Sequence, residues 1–308
     1  MPTAVVTGGA GFIGSHVIER LLREGTTVAA VDDLSTGKRG NLPGGDVELV
    51  EADVRDPEAM RGLLQRARPD VVYHLAAQIS VTRSVAEVEY DADVNVRGTA
   101  TLLEAARRAE IPRFVYISTG GALYGEADVV PTPEDYAIEP LAPYGLSKWV
   151  GERYCDLYRG LHGASTLTLR LANIYGPRQD PHGEAGVVAI FCQRLHAGDP
   201  PVVFGDGRQT RDYTYVGDVA AAVLAAGGSD ATGAFNIGTG RESSVLDLVD
   251  HLRELSGDDD FRAQHAPERP GEAKRSCLDP SAARERLGWE PSTSLRDGLA
   301  ATLESFAP

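Results

Sequence analysis

An α/β fold built on a parallel sheet is predicted by three observations. Short apolar, β-branched runs alternate with helical patterns through the first half of the chain. A glycine-rich turn, TGGAGFIG at 7–14, separates the first run from the first helical pattern. The second run ends in a pair of acids, Asp32 and Asp33. Alternation at this pitch makes βαβ units, whose right-handed crossovers bury the sheet between two helical layers.

The elements follow in order. Residues 3–7 (TAVVT) read as the first strand, and 12–24 as the first helix. Strands at 26–31 and 47–51, a helix at 57–67 and a strand at 71–75 continue the alternation. A helix at 97–109, a strand at 113–117 and a helix at 144–159, starting after Pro143, complete the regular half. Residues 165–171 read as another core strand. Glycine and proline punctuation then follows at 176–177, 198–201 and 205–207, with a helix at 245–255 and an acidic loop at 257–260. The expected organisation is a Rossmann-like, doubly wound parallel sheet over 1–172, to which part of 210–240 returns. Residues 173–308 mainly form a smaller C-terminal α/β lobe that binds substrate. Neither an internal repeat nor a low-complexity tract is present.

Composition excludes several function classes. A formal net charge of −15 repels nucleic acid and anionic lipid, so any anionic ligand needs a local cationic pocket. Cys155, Cys192 and Cys277 lack metal-ligand spacing, and their odd number fits a reducing compartment better than a disulfide framework. The sequence shows no basic leader with an apolar core and no apolar run of about 18 residues. A soluble, cytoplasmic protein without metal, membrane or nucleic-acid partner is expected.

Gly8, Gly11 and Gly14 form G-x-x-G-x-x-G between the first strand and helix. Absent side chains let a pyrophosphate approach the backbone, and the helix N-terminus supplies N–H donors. Asp32-Asp33 lies 18 residues after Gly14, where a carboxylate accepts ribose hydroxyls and repels a 2′-phosphate. NAD is therefore expected rather than NADP. Asp53, ending the third strand, suits an adenine amine; a helix cap or solvated loop acid is the alternative.

Tyr144 and Lys148, at i and i+4 on one helix, share a face. An ammonium there stabilises a tyrosinate and brings its pKa down from about 10, making a general base. A surface helix pair is the bland alternative.

These motifs, with VVYHLAA (71–77) and ISTGGALYG (117–125), resemble the extended short-chain dehydrogenases/reductases. LRLANIYGPRQ (169–179), GVVAIF (186–191), RQTRDYTYVGDVA (208–220), NIGTG (236–240) and RPGE (269–272) extend the likeness over essentially the whole chain. Together they resemble the NAD-dependent epimerase/dehydratase group, most closely the UDP-glucose 4-epimerases.

The resemblance implies a catalytic set of Thr119, Tyr144 and Lys148, with Ser118 in reserve on the opposite face of the strand. Thr119 would hold the sugar 4-oxygen, and Tyr144 would take its proton as hydride leaves C4 for NAD. Lys148 would also hold the nicotinamide ribose. The 4-keto sugar would turn over and be reduced on its other face, so NAD stays bound. Phe12, Ile13, Val54, Leu75, Ala76, Ala77, Asn95 and Ala172 are implied at the cofactor. Asn173, Arg211 and Arg269 are implied at the diphosphate or hexose, with Val188 and Phe191 flanking the uracil and Tyr213 as a further contact. Ser276 stands where a bulky residue can close the pocket around the hexose 2-substituent. Its small side chain leaves room for an N-acetyl group, so UDP-GlcNAc and UDP-GalNAc join UDP-glucose and UDP-galactose as expected substrates.

Competing readings differ at named positions. A nucleotide-sugar 4,6-dehydratase resembles a Thr-Asp-Glu pattern where this chain has Gly120 and Gly121, which offer elimination no acid or base. A UDP-pentose-forming decarboxylase wants a Glu in that stretch. A UDP-glucuronate 4-epimerase needs a partner for the C6 carboxylate, for which Arg83, Arg178 and Arg275 are conceivable. A non-catalytic dinucleotide sensor has no need of all three catalytic residues. Relatives pair through the helices at 97–109 and 144–159. The resemblance thus implies a homodimer, with Leu102, Leu103, Ala105, Ala106, Val150 and Leu157 as its apolar stripe.

Overall fold

The computed structural model describes residues 1–45, 47–182, 186–268 and 273–307. The N-terminal half runs β1 (Thr3–Thr7), α1 (Phe12–Arg23), β2 (Thr27–Asp32), β3 (Val47–Glu51), α2 (Pro57–Ala67), β4 (Val71–His74), α3 (Val81–Ala86), α4 (Val88–Ala92), α5 (Gly98–Arg108), β5 (Arg113–Thr119), α6 (Pro143–His162) and β6 (Thr166–Leu171). The remainder runs β7 (Asn173–Tyr175), α7 (Val187–Ala197), β8 (Val202–Phe204), β9 (Thr210–Arg211), β10 (Tyr213–Tyr215), α8 (Val216–Gly227), β11 (Gly233–Ile237), β12 (Ser243–Ser244), α9 (Val245–Ser256), β13 (Gln264–Ala266), β14 (Arg275–Ser276), α10 (Ser281–Leu287) and α11 (Leu295–Ser305).

Seven parallel strands form the main sheet, in the order β11-β6-β5-β4-β1-β2-β3. The chain leaves β1 toward β2 and β3, then returns to β4 on the other side. The switch between β1 and β4 opens a crevice at the C-terminal strand ends, where open α/β sheets take ligands. One face buries Val6, Ile18, Tyr73, Leu169 and Phe235 with the apolar side of α8. The other buries Val5, Met60, Leu64, Leu103 and Tyr116. Such double burial is why these strands read as unbroken apolar runs.

Beyond β6 the chain builds a second layer from small sheets, β10-β7, β12-β9-β14 and β13-β8. Its own core gathers Tyr175, Phe191, Leu248, Leu252, Phe261 and Leu299. Within it, Ser244 and Asp247 form a reciprocal capping box that starts α9. Strand β11 and helix α8 return to the main sheet from within this half.

The expected helix at 97–109 is Gly98–Arg108, entered through a wide, π-type turn at Asp93–Arg97. The expected dimer stripe needs correction. Leu102, Leu103, Ala105 and Ala106 are at most 5% exposed, packed against their own sheet, because α5 has one apolar face and the sheet takes it. Leu157 is exposed, and on the same helix Leu146 and Leu161 are exposed too. No described helix is long and apolar enough to cross a membrane.

Candidate active site

The crevice begins at the glycine turn. Gly8 has φ +68°, and a β-carbon on it would lie 2.8 Å from the Ala76 amide nitrogen. One on Gly14 would lie 2.1 Å from the Gly8 carbonyl oxygen. The turn and the start of α1 are thus pressed together with no side chain between. The first N–H groups of α1, beginning with Phe12 and Ile13, have no partner inside the helix. Gly11 is the N-cap and makes no side-chain cap.

Asp32 closes this cradle. Its Oδ2 accepts from Ala10 N at 2.9 Å and its Oδ1 from Leu34 N at 2.9 Å. Each oxygen retains a second lone pair. Burial raises the Asp32 pKa above the usual carboxylate value, with the two amide donors opposing. Asp33 is exposed and binds Ser35. A glycine cradle, helix N-terminus and acid with spare acceptor capacity fit the pyrophosphate and ribose of NAD. Val54 is buried beside Gly98, while Leu75, Ala76 and Ala77 run from the end of β4 along the cleft.

Two expected cofactor contacts have protein partners. Asp53 chelates Arg55 through Nε, at 3.0 and 2.9 Å, and Arg55 also reaches Asp93 at 2.7 Å. The Arg55 hydrogen bonds lower the Asp53 pKa. Asn95 accepts from Gln78 N at 2.8 Å and donates to Gln78 O at 3.0 Å, Asp91 Oδ1 at 3.1 Å and Ser147 Oγ at 3.0 Å. Its side chain knits the chain after β4 to α6.

Thr119 ends β5, and Tyr144 and Lys148 occupy successive turns of α6. Gly145 lets that helix seat closely, since a β-carbon there would lie 2.3 Å from the Ala122 carbonyl oxygen. Burial pushes Tyr144 up to about 12, opposed by its hydrogen bond with the Thr119 side chain. Burial pushes Lys148 down to about 8, opposed first by Glu152. This corrects the expected lowering of Tyr144 by Lys148. In the protein alone desolvation governs both groups. The Lys148 ammonium lies 4.5 Å from the Tyr116 ring centre. Ser118 is buried with its Oγ unpartnered, so Thr119 is the strand-end hydroxyl that meets Tyr144.

Gly120 packs against Leu278, whereas a β-carbon on Gly121 would lie 3.5 Å from Asn173 Oδ1, an ordinary contact. Asn173 therefore faces the strand-end loop, one residue after Ala172. Arg211 and Ser276 are register partners in the β9–β14 pair. Arg269 lies outside the described residues. Val188 and Phe191 are each 1% exposed inside the second core, so neither side chain offers a face to a base, because α7 spends its apolar side on that core. Tyr213 is buried in the same core.

An open pocket of about 370 Å³ lies instead among Phe204, Gly205, Asp206, Arg208, Gln209, Glu268, Lys274 and Arg275. In the sequence, the local sign of this pocket is the Gly205-Asp206-Gly207 turn beside RQTRD. The polar groups His74, Gln78, Asp91 and Ser147 are also buried here, unsignalled by hydrophobic periodicity. His74 was visible as a lone imidazole ending an apolar strand.

Comparison with known proteins agrees with this geometry. Residues 5–302 match the family described as GDP-mannose 4,6 dehydratase. The UDP-glucose 4-epimerase of Mycolicibacterium smegmatis is 47% identical over 307 residues, covering 98% of this chain and 97% of that protein. The crystal structure of the Thermotoga maritima UDP-glucose 4-epimerase with UDP-glucose is 45% identical, with a TM-score of 0.96 over 99% of this chain and 98% of that one. The Thermus thermophilus UDP-glucose 4-epimerase in complex with NAD is 42% identical, with a TM-score of 0.93 over 99% and 98%. The glycine cradle, the Thr119–Tyr144–Lys148 corner and a likeness running through both halves have one reading: the chain belongs to the GDP-mannose 4,6 dehydratase family, within the NAD-dependent epimerase/dehydratase branch of the extended short-chain dehydrogenases/reductases.

Proposed function

We propose that this protein is a UDP-hexose 4-epimerase working with tightly bound NAD. Its substrates are UDP-glucose and UDP-galactose and, because Ser276 is small, UDP-GlcNAc and UDP-GalNAc. One observation carries the reading: Thr119 and Tyr144 meet at the end of a strand that continues in glycine, where elimination would need an acid and a base. Bound NAD supplies a reversible hydride acceptor. Tyr144 exchanges the 4-hydroxyl proton, and Thr119 holds the same oxygen. With Tyr144 at about 12 in the protein alone, the base needs positive charge beside it, from Lys148 and from the oxidised cofactor. Asn173 and Arg211 take the hexose and diphosphate, as does Arg269 outside the described residues. The cations Arg208 and Lys274 line the pocket that would receive the rest of the nucleotide.

The state of three arginines supports a neutral C6 over glucuronate. Arg83 is bound to Glu87, Arg178 to Glu19 and Arg275 to Glu242. Each has a carboxylate already, and Arg178 also leans on His16 and Asn41.

Purified protein, with no NAD added, is to be assayed on UDP-glucose, UDP-GlcNAc and UDP-glucuronate. Inversion at C4 of the first two is expected. Inversion of UDP-glucuronate alone would replace the hexose reading, and UDP-glucose turnover without UDP-GlcNAc turnover would remove the role given to Ser276. We also propose a homodimer through α6, whose Leu146, Leu157 and Leu161 are exposed. Light scattering at a monomer mass would refute it.

A further inference from the structure

Asp212 fills the single step between β9 and β10 and is 1% exposed. On one side of it, Arg211 pairs with Ser276 of β14; on the other, Tyr213 pairs with Asn173 of β7. The Asp212 main chain joins both pairs. Its N–H donates to the Ser276 carbonyl oxygen at 2.9 Å, and its carbonyl oxygen accepts from Asn173 N at 3.0 Å. One residue thus sets the mutual register of Asn173, Arg211 and Ser276.

Its carboxylate reaches two further segments. One is the NIGTG turn that ends β11: Oδ1 accepts from Thr239 N at 2.8 Å and from Thr239 Oγ1 at 2.6 Å, and Oδ2 accepts from Gly240 N at 3.2 Å. The other is the chain after β14, where Oδ2 accepts from Leu278 N at 3.3 Å. Backbone N–H groups only donate, so both carboxylate oxygens must accept. Gly238 makes room for them, since a β-carbon there would lie 2.4 Å from Oδ2. Leu278 in turn packs on Gly120, the residue after Thr119. The side chain therefore ties the wall of Asn173, Arg211 and Ser276 to the main sheet and to the strand end that carries Thr119. A buried carboxylate is a poor choice for stability alone, where an apolar side chain costs less. What it adds is a fixed arrangement of three separate segments.

We propose that Asp212 is a positioning residue for the substrate, which holds Asn173, Arg211 and Ser276 as one preorganised wall beside the Thr119 strand end. This rests on the reading of those three residues as the hexose and diphosphate contacts. A wall fixed in advance spares the substrate the cost of ordering it. Loss of the carboxylate should therefore weaken substrate binding, while the cofactor cradle of Gly8, Gly14 and Asp32 is untouched.

The test is calorimetric binding of UDP-glucose to the NAD-containing enzyme, in a Tyr144→Phe background that stops turnover. Asp212→Asn keeps the size and one acceptor oxygen, but its NH2 then faces N–H donors. Its Kd for UDP-glucose should rise about tenfold or more, with bound NAD unchanged. Asp218→Asn controls for a merely structural loss. Asp218 is a second buried carboxylate of this half, accepting from Ser292 Oγ at 2.8 Å and Thr293 N at 2.9 Å. Its loss should lower the melting temperature and leave Kd unchanged. Thr239→Val removes one donor from Asp212 at nearly constant shape and should raise Kd about three- to fivefold. An unchanged Kd in Asp212→Asn, or in Thr239→Val should the first variant not fold, overturns the proposal. An equal rise in Asp218→Asn overturns it too, because any loosening of this half would then suffice. Arg211→Ala separates the proposal from the reading beneath it. A Kd raised there and unchanged in Asp212→Asn sinks the Asp212 role alone. A Kd unchanged in Arg211→Ala and raised in Asp212→Asn removes Arg211 from the wall and leaves Asp212 acting through Asn173 and Ser276.

Discussion

A β-carbon built on Gly120 would lie 2.4 Å from Cδ1 of Leu278. Leu278 is 1% exposed, bridged to Thr132, with its N–H 3.3 Å from the buried Asp212 carboxylate. The missing side chain at the strand end is thus the socket for the segment that carries Ser276. Gly120→Ala should cost about 1–3 kcal/mol by overpacking. Gly121→Ala, whose added methyl makes only an ordinary contact with Asn173, should stay within about 0.5 kcal/mol of wild type. Urea denaturation checks both. In the double variant Gly120→Ala/Leu278→Ala, the loss should be smaller than the sum of the singles. Strict additivity would mean that the two residues do not share this space.

Thr119 and Tyr144 give a second prediction. The Thr119 hydrogen bond holds the Tyr144 pKa down against burial. Thr119→Val removes it, so the phenol should be harder to deprotonate, and the acidic limb of kcat/KM should move to higher pH. Loss of the sugar-oxygen contact should also reduce kcat by about 10–100-fold. Thr119→Ser should restore most of both. A limb unmoved in Thr119→Val would show that Tyr144 does not set it.

What could be read in advance was what is local along the chain. The glycine turn, the acid ending β2 and the Tyr144–Lys148 spacing each need only a few residues and one element type. Burial on both faces made the strands conspicuous, and 3–7 and 47–51 end where expected. Long-range partners were out of reach. Asn95 meets Gln78 and Ser147, 17 and 52 residues away, and nothing local in the sequence distinguishes those partners from a ligand. An apolar helical stripe looks alike whether it faces a core, a base or a second subunit, and Val188, Phe191 and Leu102 face cores of their own chain. Periodicity carries no measure of desolvation, so the direction of the Tyr144 shift could not be read from Lys148.

A third prediction concerns acid. His74 accepts from the Thr7 hydroxyl at Nδ1 (2.8 Å), while Nε2 meets Thr99 Oγ1 at 3.0 Å. Thr99 donates to the Asn95 carbonyl oxygen at 2.6 Å and Thr7 accepts from Ala76 N at 3.2 Å, which assigns the neutral Nε2–H tautomer. Burial lowers the imidazole from 6.5 to about 3. Between those values the unfolded chain binds a proton that the folded chain refuses, so stability rises with pH across the window and falls on acidification. The slope of unfolding free energy against pH near 4.5 should be steeper in wild type than in His74→Gln by about 1.4 kcal/mol per unit. Equal slopes would mean that His74 charges freely in the fold.

The last prediction concerns what holds α6 in place. Arg170, on β6, is bound to Glu152 at 2.7 Å, one helical turn after Lys148. The same guanidinium reaches the Tyr124 hydroxyl at 2.8 Å and the Glu134 carbonyl oxygen at 2.9 Å. It therefore ties α6 to the connection that precedes it. Both side chains are nearly buried, 7% and 5% exposed. Removing one partner strands the other charge, so Glu152→Gln and Arg170→Met should each cost about 3–5 kcal/mol in urea denaturation. The double replacement Arg170→Met/Glu152→Leu leaves no buried ion, though Tyr124 and Glu134 lose their donor, and should recover at least half of that loss. Single variants costing under about 1 kcal/mol would show that water reaches the pair and that α6 is positioned by other contacts.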